Sequence, residues 1–441
     1  MLAVYRHMFT IADLRGKILF TLMIIGIYRL GTNIPVPGTD LDAVQAIAEG
    51  AEVGGIFGLL NLFSGGALER FSVFALGIMP YITASIIMQL LTVVIPRLQA
   101  LQEEGDRGRK VITQWTRYLT VVLSLLQSTA LTALFASAGG AAQLGLSQPL
   151  ITDSSAGKAA LIVLTMTAGT AFIMWLGELI TQRGVGNGMS LIIFASIISQ
   201  LPASFSLIYQ QTVGASQPLL FVLMIFIFVA MVVAILYVEQ GQRRIPIQFA
   251  KRVRGRRVLG GQATYIPLKV NTAGVIPVIF ATSVLFFPAL IVTMIPNSTN
   301  SVLEGIRNWV NEYLGSTGSS TWTYVIILFS LIVFFTYFYT AIQFDPVRQA
   351  ETIQRQGGFI PGIRPGKATV RHLEYILNRI TLPGSLFLAT ISVLPAIASV
   401  IWGFQIGFSG VSILIVVGVA LETMKQIESQ LTMRNYEGFL T

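Results

Sequence analysis

The sequence predicts an all-α polytopic membrane protein: ten transmembrane helices in two inverted five-helix halves, with a re-entrant helix after the first span. Three observations carry this. Of the 441 residues, 54% are hydrophobic and 11% charged, where a soluble chain holds roughly 25% charged residues. Ten runs approach the about 20 apolar residues that a span requires. A phrase in the first half, Gly77-Ile78-Met79-Pro80-Tyr81-Ile82-Thr83-Ala84, returns in the second as Gly274-Val275-Ile276-Pro277-Val278-Ile279-Phe280-Ala281.

The expected spans are 18–34, 73–95, 118–138, 158–177, 189–208, 218–238, 272–295, 322–343, 378–398 and 410–428. They divide the chain into an amphipathic segment 1–17, a first half 18–208, a second half 209–428 and a tail 429–441. An even number of spans puts both termini on one side, and the positive-inside rule makes that side the cytoplasm. Of the 29 Lys and Arg, 25 then face it; Arg29 lies in the first span, and Arg70, Lys158 and Arg307 lie outside. Eight acidic residues, including Asp40, Asp42, Glu49 and Glu52, face outward. The basic start (Arg6, Arg15, Lys17) runs straight into a full-length span, unlike a cleavable signal.

The repeated phrase falls in spans two and seven, the second of each half. A weaker pair, Gly188-Met189-Ser190-Leu191-Ile192-Ile193 and Gly410-Val411-Ser412-Ile413-Leu414-Ile415, falls in spans five and ten, the fifth of each half. Matches at corresponding places point to duplication, and five spans per half is an odd number, so the halves insert with opposite polarity. The other explanation is chance likeness among helices built from a small alphabet of residues. Pro80 and Pro277 are expected to kink their spans.

The inner stretches of spans two to nine hold no Asp, Glu, Lys or Arg. This argues against a proton- or sodium-coupled carrier, which needs ionisable groups near the midplane, and against a channel lined by charge rings. The narrowest part of any path is apolar. Ile82 and Ile279, and Ile193 and Ile415, are matched in the repeats, and matched residues near the midplane approach one axis. Such side chains form a constriction that excludes water and ions yet parts around an extended chain; alternatively they are packing isoleucines. The chain has no cysteine, which excludes disulfides and thiolate metal sites, and His7 and His372 read as solvated flanking residues. No phosphate-cradling loop or catalytic constellation is visible, so no enzyme activity and no cofactor are expected.

Segment 53–72 is too short and too glycine-rich to span, and too apolar for water. It reads as a re-entrant half-helix leading into span two, a movable plug, or else as an interfacial helix. Two cytoplasmic loops, about 239–271 and 344–377, are basic. The first carries Arg243, Arg244, Lys251, Arg252, Arg254, Arg256, Arg257 and Lys269; the second presents Arg364 between turn-forming Gly and Pro. Both are expected to form projecting hairpins, suited to a phosphate-rich partner such as RNA, although topology and anionic lipid also account for basic loops.

Taken together, Phe63-Ser64-Gly65-Gly66, Leu76-Gly77-Ile78-Met79-Pro80-Tyr81-Ile82, Gly184-Val185-Gly186-Asn187-Gly188, Gly241-Gln242-Arg243-Arg244, Asn271-Thr272-Ala273-Gly274-Val275-Ile276-Pro277 and Pro361-Gly362-Ile363-Arg364-Pro365-Gly366 resemble the SecY family over essentially the whole chain. The resemblance implies the pore subunit of a protein-conducting channel. It implies a pore ring of Ile78, Ile82, Ile193, Ile279 and Ile415, and a plug containing Phe57, Leu60, Leu62, Phe63, Gly65 and Gly66. It also implies a lateral gate between spans two and seven, near Thr83, Ser85, Gln89 and Thr282, that releases signal sequences and other apolar segments into lipid. The basic loops then dock the SecA motor or the ribosome, Arg364 foremost, and small SecE and SecG subunits accompany the chain. The membrane implied is the bacterial plasma membrane, or a thylakoid membrane if the source has one. The rival is an inverted-repeat transporter or flippase, which requires a polar midplane site.

Overall fold

The structure, a computed structural model, describes residues 11–39, 61, 63–136, 151, 155–214, 217–249, 252–254, 257–259, 263–294, 305, 309–310, 313, 321–402 and 408–437. Phe57, Leu60, Leu62, Lys251 and Arg256 lie outside the described residues, and Arg252, Arg254 and Arg257 are described by their backbone alone.

A helix lies on each of the expected spans. In the first half these are α1 (Ala12–Gly31), α2 (Met79–Val94), α4 (Asp106–Ala136), α5 (Ala156–Arg183) and α6 (Gly188–Thr212), with a short α3 (Pro96–Glu103) bent 100° from α2. In the second half they are α7 (Pro218–Gln240), α8 (Ile276–Met294), α9 (Thr321–Gln343), α11 (Lys367–Trp402) and α12 (Gly410–Glu437), with α10 (Pro346–Arg355) between α9 and α11. Apolar runs become helices in lipid because a helix satisfies its own backbone polar groups. Hydroxyls follow the same rule: Thr120, Thr170, Ser196 and Ser392 each donate to the carbonyl four residues back in their own helix.

Packing repeats between the halves. In the first, α2 packs on α4 and α5, α4 on α5, α5 on α6, and α1 on α6; in the second, α8 packs on α9 and α11, α9 on α11, α11 on α12, and α7 on α12. Each partnership of one list stands at the corresponding place in the other. Glycine sets the closest approach in both. A Cβ on Gly188 would stand 1.9 Å from the Gly177 carbonyl oxygen of α5, and a Cβ on Gly410 would stand 1.9 Å from the Ile391 carbonyl oxygen of α11. Only glycine lets the backbones approach this closely. The halves meet where α6 packs on α12 and α7, and where α8 packs on α2 and α4.

The repeated prolines do not kink their helices. Pro80 and Pro277 are each the second residue of α2 and α8, where no intrahelical N–H bond is formed and a fixed φ is already helical. The residues before them, 73–78 and 272–275, are turns rather than parts of the spans.

Of the two basic loops, the first has the expected hairpin form and the second does not. The first forms the antiparallel pair β1 (Gln242–Phe249) and β4 (Ala263–Lys269), with Ile245 opposite Ile266, and a small pair β2 (Arg252–Arg254) and β3 (Arg257–Leu259). The second is not a hairpin. It folds as α10 and a two-residue strand β5 (Gly358–Phe359), which joins the free edge of β1 to give the order β4-β1-β5. An apolar cluster of Ile245, Leu268, Ala350, Ile360, Leu373 and Ile376 joins the two loops; its burial is what draws them together.

Candidate functional site

The duplicated phrase builds the same local structure twice. Gly77 (φ 56°) and Gly274 (φ 64°) both adopt the left-handed conformation that glycine alone takes without strain. In the first copy the Ile78 carbonyl accepts from the Tyr81 and Ile82 N–H groups, both at 3.1 Å; in the second the Val275 carbonyl accepts from Val278 at 3.1 Å and Ile279 at 3.3 Å. Ile82 and Ile279 therefore occupy equivalent first-turn positions, and Ile78 stands at the N-cap of α2.

Ile193 and Ile415 are each the sixth residue of their helices, α6 and α12. Both helices are capped by a polar side chain: Asn187 Oδ1 accepts from Met189 N at 3.1 Å, and Ser409 Oγ accepts from Ser412 N at 3.2 Å. Ile78, Ile193 and Ile415 are buried in one apolar cluster, and the half-buried Ile82 and Ile279 pack against that same cluster. None of the five is turned out to lipid among the exposed apolar side chains.

Of the expected gate residues, Thr83 and Thr282 are buried, Ser85 is half-buried and Gln89 is exposed. Thr83 Oγ1 donates to Met79 O at 3.0 Å, and Thr282 Oγ1 bonds Val278 O and Ile279 O at 3.1 and 3.0 Å. Both hydroxyls are thus satisfied inside their own helices.

The segment leading into α2 is clamped by a polar network that sequence reading missed. Tyr28 of α1, fully buried, donates through Oη to the Ser64 carbonyl at 3.1 Å and lies 2.6 Å from Ser196 Oγ of α6. Arg29 Nη1 donates to the Gly65 carbonyl at 3.0 Å. Gly65 (φ 69°) packs so closely that a Cβ there would stand 3.0 Å from Ser196 Cα, and Phe63, Ala67, Leu68 and Phe71 are buried. Ser196 lies one turn beyond Ile193, and Ser64 abuts Gly77, next to Ile78; the clamp therefore ties this segment to two of the five isoleucines. Outside the spans, burial pushes the Glu69 carboxyl above its ordinary range, against the opposing pull of Asn61 and Arg70. The one legible signal of this network was Arg29, a charge inside an expected span.

In the two basic loops Arg243, Arg244 and Arg364 are exposed. Arg244 lies over the Tyr265 ring, 4.8 Å from its centroid. Arg364 stands between Gly362 (φ 82°) and Gly366 (φ 101°), and its carbonyl accepts from Thr369 Oγ1 at 3.1 Å, which anchors the tip to α11. Asn271, just after β4, donates through Nδ2 to Glu239 Oε1 at 2.6 Å and to Gly274 O at 3.1 Å, joining the end of α7 to the turn before α8. Arg117 of α4 and Glu178 of α5 form a two-pronged pair, at 2.7 and 2.6 Å. Among the described residues no group of three or more His, Asp or Glu is placed to hold a metal ion.

The SecY family model matches residues 72–424. A protein translocase subunit SecY from Streptomyces coelicolor is 52% identical over 443 residues, covering 100% of both chains. One from Mycobacterium bovis is 49% identical over 454 residues, again covering 100% of both. Among solved structures, a protein-conducting channel superposes with a TM-score of 0.57 at 17% identity, covering 94% of this chain and 92% of the other. The yeast Ssh1 complex bound to the 80S ribosome gives 0.61 at 16% identity, covering 92% and 88%.

Proposed function

This chain belongs to the SecY family and is the pore-forming subunit of a protein translocation channel, and we propose that polypeptide passes unfolded through a ring of Ile78, Ile82, Ile193, Ile279 and Ile415. The observation that carries the reading is that the matched isoleucines of the two halves stand at equivalent positions, built by equivalent turns and caps. At rest the ring excludes water and ions. Segment 53–72 blocks its outer side, held at its root by Tyr28, Ser196 and Arg29.

A sufficiently apolar segment leaves between α2 and α8, past Thr83, Ser85, Gln89 and Thr282, by partitioning into lipid. Burying one Leu-sized side chain stabilises by roughly 1.5–3 kcal/mol, so several such residues bias the gate. Energy comes from the SecA motor or from a translating ribosome docked on Arg243, Arg244, Lys251, Arg252, Arg254, Arg256, Arg257 and Arg364. SecE and SecG accompany the chain in a bacterial plasma membrane, both termini in the cytoplasm, or in a thylakoid membrane in a source that has one.

The experiment is to replace Ile82 and Ile279 together by Gly in the reconstituted channel and record ion conductance. A sealed protein channel leaks after this change. A transporter, the rival, loses substrate flux and gains no conductance.

A further inference from the structure

The bend after α2 places a second link between the halves, on the cytoplasmic side. α2 ends at Val94; Ile95 is extended (φ −100°, ψ 111°), and Pro96 opens α3. A proline disfavours helical backbone in the residue before it, which fixes this corner. α3 packs on α2 and α4, so it moves with the first half. Its last residue, Glu103, pairs through Oε1 with Arg348 Nη2.

Arg348 lies in the first turn of α10, a helix of the second half that is seated by Ala350 and Ile353 and packs on α11 and β5. Arg348 Nε also reaches Asp345 Oδ2 at 3.3 Å. Asp345 in turn caps α10, accepting from Val347 N at 2.9 Å and Arg348 N at 3.3 Å. The guanidinium is therefore shared between a partner on its own helix and a partner 245 residues away in the other half. From α10 the chain runs through β5 directly to the exposed Arg364 tip.

Both members of the pair stay wet, with 60% and 51% of their side chains exposed. Such a pair is weak and screened by salt, which suits a catch that must open. On release Asp345 retains the guanidinium, and the Glu103 carboxylate, already half exposed, is left in water.

We propose that Glu103 and Arg348 are positioning residues, a clasp across the cytoplasmic mouth that holds α2 against α8 at rest and yields when a partner engages the Arg364 tip. The proposal rests on the reading that α2 and α8 form the gate. The absence of cysteine gives a clean test. Cysteines placed at Ser85 on α2 and Ile276 on α8, both half-buried and each three residues to the cytoplasmic side of Ile82 and Ile279, report gate spacing through the rate of bridging by a short bis-maleimide in the full-length reconstituted channel. E103R and R348E are each expected to slow bridging about two- to fivefold, the scale of one exposed ion pair, and to raise resting ion leak. The exchanged pair E103R/R348E is expected to restore both. High salt should slow bridging in the parent channel but add little in E103Q, which also serves if a reversal variant folds poorly. Unchanged bridging in E103R, R348E and E103Q, or no recovery in the exchanged pair, overturns the clasp. If those variants are silent while the Ile82 and Ile279 replacement leaks, the clasp alone is wrong; if that replacement does not leak, the path itself is wrong.

Discussion

Tyr28, Arg29 and Glu69 show what residue chemistry adds to an apolar pattern. Arg29 was visible in the sequence as a charge inside a span, but its partner, the Gly65 carbonyl, could not be. A backbone acceptor carries no residue identity, so nothing in a string of letters marks it. Tyr28 reads as one more aromatic in an apolar run, and only folding brings its hydroxyl to Ser64 and Ser196. Glu69 makes a prediction at this scale. Its carboxyl is raised by burial when the segment is packed, so packing favours the neutral form. The stability this gives is fully present below the ordinary carboxylate range and is lost as pH rises through the raised value. Amide protection factors across 63–72, which remove the intrinsic pH dependence of exchange, are therefore expected to be higher at about pH 5 than at about pH 7.5, and Glu69→Gln should remove the difference. Lower protection at the lower pH would contradict it.

The elements themselves were largely legible, because about 20 apolar residues in a row have few alternatives in lipid. Their ends were not. The apolar run predicts span two from residue 73, yet α2 begins at Met79, since Gly77 turns the chain and Pro80 suits the first turn of a helix. The sequence of the loop at 344–377 suggests a hairpin, but its apolar residues are satisfied by β1 and α11, partners that local sequence does not reveal. Helix contacts give a second prediction. Gly188→Ala and Gly410→Ala each drive a methyl into a carbonyl of the neighbouring helix and should destabilise by about 1–3 kcal/mol. Gly26→Ala in α1, with nothing within 4 Å of the new atom, should stabilise by up to about 1 kcal/mol. Thermal unfolding in detergent measures both, and equal effects at the three sites would show that the close approach is not what holds α5 to α6 and α11 to α12.

Across the whole molecule, two inverted copies of one packing plan meet along α6, α12 and the α2–α8 seam. Duplication puts Ile82 and Ile279, and Ile193 and Ile415, at equivalent positions in their helices, and the buried threonines of the seam are bonded within their own helices. A sheet is shared by the two basic loops, of which Asn271 joins the first to the turn before α8 and Arg348 joins the second to α3. The repeat is legible in the sequence, but these two links are not, since each pairs residues that no local pattern relates. The most direct measurement of the central claim is cross-linking to a polypeptide arrested in mid-passage, with a photoreactive group placed singly at Ile78, Ile82, Ile193, Ile279 and Ile415 and at the exposed controls Val222 and Ile326. Adducts at the five isoleucines and none at the controls are predicted; a chain that labels the controls and spares the isoleucines contradicts the path.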